Sequence, residues 1–203
     1  MAVLGIADRS FDGRSLTSSQ SMRTLETRLD GLVLLEPAVH GDARGFFVET
    51  FRADVATAHG IPLDFVQDNH SRSRKGTLRG IHFQTHPGQG KLVRVARGSV
   101  WDVAVDLRRH SPTFGQWEGV TLDDESGRML YIPVGFGHGF LVTSDVADFV
   151  YKCTAYYDPA TEAGIRFDDP AVGIEWPSDV ELLYSERDRT APSLAEIADS
   201  LPF

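Results

Sequence analysis

Cysteine is almost missing from this sequence: Cys153 is the single one in 203 residues. One thiol excludes an intrachain disulfide and a multi-cysteine metal cage, and it fits a reducing cytoplasm as the working compartment. Bases are scarce relative to acids, 20 against 29, which leaves a formal net charge of -9. General nucleic-acid and membrane-surface binders need a positive field, so neither nucleic acid nor membrane is expected as a partner. No apolar run approaches membrane-spanning length. The brief apolar patch around Leu4 has no basic segment ahead of it, which argues against a signal peptide. Helical periodicity is nearly absent, and no repeat of fixed period appears.

What remains is an ordinary globular composition, 41% hydrophobic and 24% charged, enough for one domain with a sizeable core. Residues 9–24 are rich in Ser, Thr, Arg and Gln without periodicity. The expected organisation is therefore a disordered arm over residues 1–24 and a single domain over 25–203, with Met22 as an alternative start. Short β-like runs follow at 32–35, 46–51, 65–67, 92–95, 100–106, 117–122, 129–132, 139–143 and 148–156. Short helices are expected at 53–59 and 193–198. Asp158-Pro159, Asp169-Pro170 and Trp176-Pro177 make 158–177 loops and short extended pieces. Many short strands with almost no helix predict an all-β antiparallel sandwich or barrel. The clearest hairpin is expected over 91–106, turning at Gly98. On its return strand Trp101, Val103 and Val105 share one face, and Val100, Asp102, Ala104 and Asp106 share the other. The second face suits either a polar barrel lumen or solvent.

The chemistry gathers in residues 67–84, QDNHSRSRKGTLRGIHFQ. Four cations (Arg72, Arg74, Lys75 and Arg79) precede His82, which stands between Ile81 and Phe83. Guanidinium forks match phosphate oxygens two at a time, so such a run suits a phosphorylated ligand on which the histidine acts. A basic surface loop followed by an ordinary strand fits the same residues. Two segments resemble those of cupin jelly-roll barrels: Gly76 through His82, and Gly127 through Pro133 to His138. In metal-binding cupins the first segment carries two histidines around one residue, plus a glutamate. Here the triplet is His82-Phe83-Gln84, and no glutamate lies between it and Gly98. His82 and His138 alone are too few for a stable metal site, so no metal is expected and acid–base work falls to side chains.

Taken in order, a set of segments resembles the dTDP-4-dehydrorhamnose 3,5-epimerase family. They are GDARGFFVETF at 41–51, the 67–84 stretch, residues 88–117, YIPVGFGHGF at 131–140, YKCTAYY at 151–157, DPAVGIEWP at 169–177 and SERD at 185–188. The resemblance implies a cupin-like jelly roll, no cofactor, a homodimer, and a dTDP-4-keto-6-deoxyhexose as substrate. It implies His82 as general base, Asp188 as its orienting carboxylate, Tyr151 as general acid, and Lys91 beside the keto oxygen. It implies substrate contacts at Arg44, Glu49, Gln67, Asp68, Asn69, Arg79, His138, Glu162 and Arg187, with Tyr157 stacking on thymine. The family often has lysine where Arg187 stands. Arg44 and its neighbours are expected to reach the partner's site. A single-centre epimerase or ketoisomerase of an antibiotic-sugar pathway, and a barrel that only binds nucleotide sugars, are the alternatives.

Overall fold

The computed structural model describes residues 22–203. The expected arm therefore lies outside the described residues up to position 21. Its last residues do not belong to an arm, because Met22–Leu25 forms β1 and pairs antiparallel with β2 (Val33–Pro37). Met22 is itself buried beneath the short helix α1 (Ala53–Ala58), with Leu35, Leu92 and Val55. Among the described residues, no helix is long and apolar enough to cross a membrane.

Among the described residues, strands far outweigh helices. After β2 come β3 (Val39–Asp42), β4 (Gly45–Val48), β5 (Gln67–Arg74), β6 (Leu78–Gln84), β7 (Lys91–Arg97) and β8 (Ser99–Asp106). There follow β9 (Trp117–Asp123), β10 (Met129–Ile132), β11 (Phe136–Val142), β12 (Val146–Cys153) and β13 (Glu162–Gly164). They form a six-stranded sheet in the order β1-β2-β10-β7-β12-β5 and a five-stranded sheet in the order β13-β6-β11-β8-β9. The β3–β4 hairpin stands apart as a two-stranded sheet. The fold is the expected all-β jelly roll of the cupin kind. Its two sheets are separate ladders, so side chains rather than backbone hydrogen bonds join them across the lumen.

The expected 91–106 hairpin does not form. β7 pairs with β10 and β12 in the six-stranded sheet, whereas β8 pairs with β11 and β9 in the other. Gly98, at φ +79°, carries the chain from one sheet to the other, and a Cβ there would lie 2.1 Å from the Val146 carbonyl oxygen. The chain makes the same change of sheet at Gly76, at φ +82°, between β5 and β6.

Period-two alternation places the two faces of β8 as read. Val100 and Ala104 enter the core between the sheets, beside Phe140 and Val142 of β11. Val93, Val95, Leu130 and Phe149 meet them from the six-stranded sheet. Val103 and Val105 enter a second cluster behind their own sheet, under Ile165, Val172, Leu194 and Leu201 of the C-terminal segment. Asp102 therefore faces the lumen and not solvent, at 0% exposure. Phe140 of β11 and Phe149 of β12 stack at 4.1 Å between centroids, fastening one sheet to the other.

Asp106 ends β8 and ties down the loop beyond it. Its carboxylate accepts from Arg108 Nη2 at 2.8 Å and from the hydroxyls of Ser111 and Thr113 at 2.6 Å each. Burial alone would raise this carboxyl's pKa; those donors outweigh it and bring it from 3.8 to about 2. A carboxyl depressed in the folded state stabilises fully above its unfolded pKa and loses that contribution as pH falls through the folded one. By urea denaturation, Asp106→Asn is expected to cost about 2 kcal/mol at neutral pH, with the gap to the parent protein narrowing between about pH 4 and 2. A gap that stays constant down to pH 2 contradicts this assignment.

Candidate active site

One row of facing residues crosses the inner side of the five-stranded sheet. Ala104 of β8 opposes His138 of β11, which opposes His82 of β6, which opposes Gly164 of β13. Ile81 and Phe83 point the other way, into the cluster behind the sheet, so His82 is left on the lumen side by alternation. A side chain at position 164 has no room: its Cβ would lie 2.6 Å from the Ile81 carbonyl oxygen and 3.4 Å from His82 Cδ2.

His82 Nε2 donates to Asp188 Oδ1 at 2.6 Å. Asp188 sits on α2 (Glu186–Arg189), a single turn whose N-cap is Ser185. Ser185 Oγ accepts from the Asp188 backbone N–H at 3.1 Å, so one cap both starts the turn and fixes the carboxylate-bearing residue. Asp188 is buried. Desolvation pushes its carboxyl upward, but the hydrogen bonds from His82 and Ser185 prevail and hold it below the usual carboxylate range. An ionised Asp188 accepts only, so Nε2 carries the hydrogen and Nδ1 is the basic nitrogen of the ring.

Beside this pair lies a cavity of about 270 Å³ lined by His82, Glu162, Gly164, Ile165, Arg187 and Asp188. Glu162 is its hub. Glu162 Oε2 accepts from Tyr157 OH at 2.7 Å and from Arg187 Nη1 at 2.8 Å. Burial acts to raise the Glu162 carboxyl, and the Arg187 and Tyr157 bonds bring it below its ordinary value. The Tyr157 backbone N–H donates to Gln67 Oε1 at 2.8 Å, and Gln67 Nε2 donates to Asn69 Oδ1 at 3.0 Å. Asn69 stands opposite Tyr151 in the β5–β12 register, and its Nδ2 donates to Cys153 Sγ at 3.6 Å.

Tyr151 packs against the inter-sheet core, its ring 6.0 Å from Phe149, which in turn stacks on His138 at 5.9 Å. Tyr151 on one sheet and His82 on the other thus flank the same aromatic and imidazole pair. Burial raises the Tyr151 phenol, which keeps it protonated at neutral pH. Lys91 opens β7 opposite Cys153; burial lowers its pKa, opposed by the carboxylates of Glu162 and Asp102. Arg79 reaches from β6 to Ser73 Oγ on β5 at 3.2 Å, and its charge is felt by Tyr151.

Other expected site residues lie elsewhere in the chain's fold. The cationic run does not converge, because strand alternation turns Arg72 to the outer face, where it pairs with Asp148 at 2.6 Å. Asp68 shares that face and meets Lys152 Nζ at 3.0 Å. Arg44, on the exposed β3–β4 hairpin, pairs with Asp42, and Glu49 follows that hairpin with Oε1 buried and without a hydrogen-bond partner. Ser185, the first residue of the SERD segment, has a capping role that the resemblance does not assign, although Ser185-x-x-Asp188 is a legible capping signal.

The family model described as dTDP-4-dehydrorhamnose 3,5-epimerase matches residues 26–196. The dTDP-4-dehydrorhamnose 3,5-epimerase of Methanothermobacter thermautotrophicus is 50% identical over 176 residues, 86% of this chain and 95% of that protein. A crystal structure of the Legionella pneumophila dTDP-6-deoxy-D-glucose-3,5-epimerase in complex with dTDP-4-keto-L-rhamnose superposes with a TM-score of 0.86 at 50% identity, covering 89% of this chain and 97% of that one. A 4-keto-6-deoxy sugar epimerase from the novobiocin gene cluster of Streptomyces spheroides gives 0.84 at 44% identity, covering 90% and 92%.

Ser185→Ala removes the α2 cap and is expected to cost about 1 kcal/mol in urea denaturation. It is also expected to speed hydrogen exchange at the Asp188 amide. Unchanged exchange there would show that another contact holds the turn.

Proposed function

This chain belongs to the dTDP-4-dehydrorhamnose 3,5-epimerase family, and we propose that its lumen inverts C3 and C5 of dTDP-4-keto-6-deoxyglucose by proton transfer, in the cytoplasm and without a cofactor. The observation that carries the mechanism is the 2.6 Å hydrogen bond from His82 to a buried Asp188, on the opposite side of the lumen from a protonated Tyr151.

The C4 ketone acidifies the protons on both adjacent carbons. His82 Nδ1 takes one of them, and Asp188 stabilises the imidazolium that results. Negative charge moves to the C4 oxygen, where Lys91 stabilises the enolate; losing such a group typically raises the barrier by about 3 kcal/mol. Tyr151 then returns a proton to the same carbon from the opposite face, which inverts it. Tyr157 stacks on the thymine, and Arg187 and Arg79 take the diphosphate. Substrate that engages Tyr157 and Arg187 draws both away from Glu162, so the pre-formed network exchanges partners rather than forming anew. Gln67, Asn69, His138 and Glu162 line the rest of the path.

The protein works as a homodimer in this reading. Phe46 and Phe47 are 63% and 70% exposed on neighbouring positions of the β3–β4 hairpin, an apolar pair that suits burial against a second copy. Arg44 and Glu49 flank that pair and are carried to the partner's site, which accounts for neither of them lining the cavity beside His82. Asp68 joins them as a contact made through the assembly. Sedimentation equilibrium is expected to give twice the chain mass, and a monomer at micromolar concentration would remove this part.

Incubation with dTDP-4-keto-6-deoxyglucose in D2O, read by mass spectrometry and proton NMR, tests the activity. Deuterium is expected at both C3 and C5, and His82→Asn is expected to slow incorporation by a factor on the order of 1,000 or more. Label at one carbon alone selects a single-centre epimerase. No label with the parent protein overturns the reading.

A further inference from the structure

The proton-transfer scheme does not use Asp102, a buried acid beside His138. Asp102 is 0% exposed, set between Val100 and Ala104 on the lumen face of β8. A carboxylate in such surroundings costs several kcal/mol unless a partner compensates it. Its partner is His138, whose Nε2 lies 3.0 Å from one carboxylate oxygen and 3.2 Å from the other. Replacing both by apolar residues would suit the core better, so the pair is retained for what the imidazole does.

Its placement says what that is. His138 is the cross-strand neighbour of His82, and each imidazole leans on a carboxylate through Nε2. The two residues thus face each other across neighbouring strands, His82 bonded to Asp188 and His138 to Asp102. The charges of Glu162 and of Asp102 both act on Lys91, Glu162 the more strongly. The stack of His138 on Phe149 sets the plane of the ring, and the bond to Asp102 sets its rotation within that plane.

We propose that Asp102 is a positioning residue that holds His138 by Nε2–H, so that Nδ1 is the ring atom presented to the sugar beside His82 and Lys91. The inference rests on the epimerase reading above, in which His138 meets the substrate. Asp102 itself touches no reacting atom. It acts through His138 and keeps the second imidazole from rotating toward the proton-accepting nitrogen of the first.

The test has a part that needs no variant. In the parent protein labelled with 15N-histidine, the His138 ring is expected to carry its hydrogen on Nε2; a ring with Nε2 bare overturns the inference. Asp102→Asn keeps the shape and lets the side-chain carbonyl or amide face Nε2, and mixed ring tautomers are expected at His138. Deuterium incorporation in this variant is expected to fall about tenfold to a hundredfold, the scale of loss known when the hydrogen-bond partner behind a metal-bound histidine is removed. The loss should appear in kcat more than in KM. In a double-mutant cycle, Asp102→Asn is expected to add nothing once His138→Gln is present. Losses that multiply would show that Asp102 acts independently of His138, which contradicts the proposal. If the parent protein incorporates no deuterium, the epimerase reading fails instead, and the tautomer result still decides whether Asp102 holds His138.

Discussion

The hydrogen bond between His82 and Asp188 joins residues 106 positions apart, and the working geometry follows from it. Asp188 is 4% exposed, and an uncompensated carboxylate at that depth would destabilise the docked C-terminal segment by several kcal/mol. Once the imidazole donates to it, the same contact docks α2, fixes the tautomer of His82 and closes one wall of the cavity. The supporting parts are small and specific. Ser185 caps the turn, Gly164 lets β13 approach the imidazole, and Arg187 ties α2 to Glu162 on β13. The proposed base is thus oriented by the way the C-terminal segment packs, not by its own strand.

The jelly-roll topology makes this arrangement economical. Consecutive strands change sheets at Gly76 and Gly98, which places β6 and β8 on one wall and β5, β7 and β12 on the other. Tyr151, Asn69 and Lys91 then reach the lumen from the wall opposite His82 and His138. Phe140 and Phe149 hold the walls together just beneath. A proton acceptor and a proton donor on opposite walls are what inversion at a carbon between them requires.

Much of this was legible in the sequence because it depends on local alternation. The two faces of β8 followed from period two, and His82 was set apart by apolar neighbours on either side. Pairing partners were not legible, since a glycine turn such as Gly98 looks the same whether the chain folds back on its own sheet or crosses to the other. The cationic run over 72–79 read as one cluster because sequence proximity hides alternation; in β5 it sends Arg72 and Arg74 away from Asn69. Met22–Leu25 escaped notice because an edge strand with polar alternate positions resembles an unstructured tail. Asp188 stands among Glu186, Arg187 and Arg189, the composition of a solvated turn, and its burial comes entirely from tertiary docking. Its role entered through family resemblance, and the 2.6 Å contact supplies the physical reason for it.

The most direct measurement is a crystal structure of this protein with a dTDP-4-keto-6-deoxyhexose bound. The account predicts the hexose between the two walls, with His82 Nδ1 against one face of C3 and C5 and the Tyr151 hydroxyl against the other. A sugar bound with both groups on the same face, or with Tyr151 outside the cavity, would contradict it.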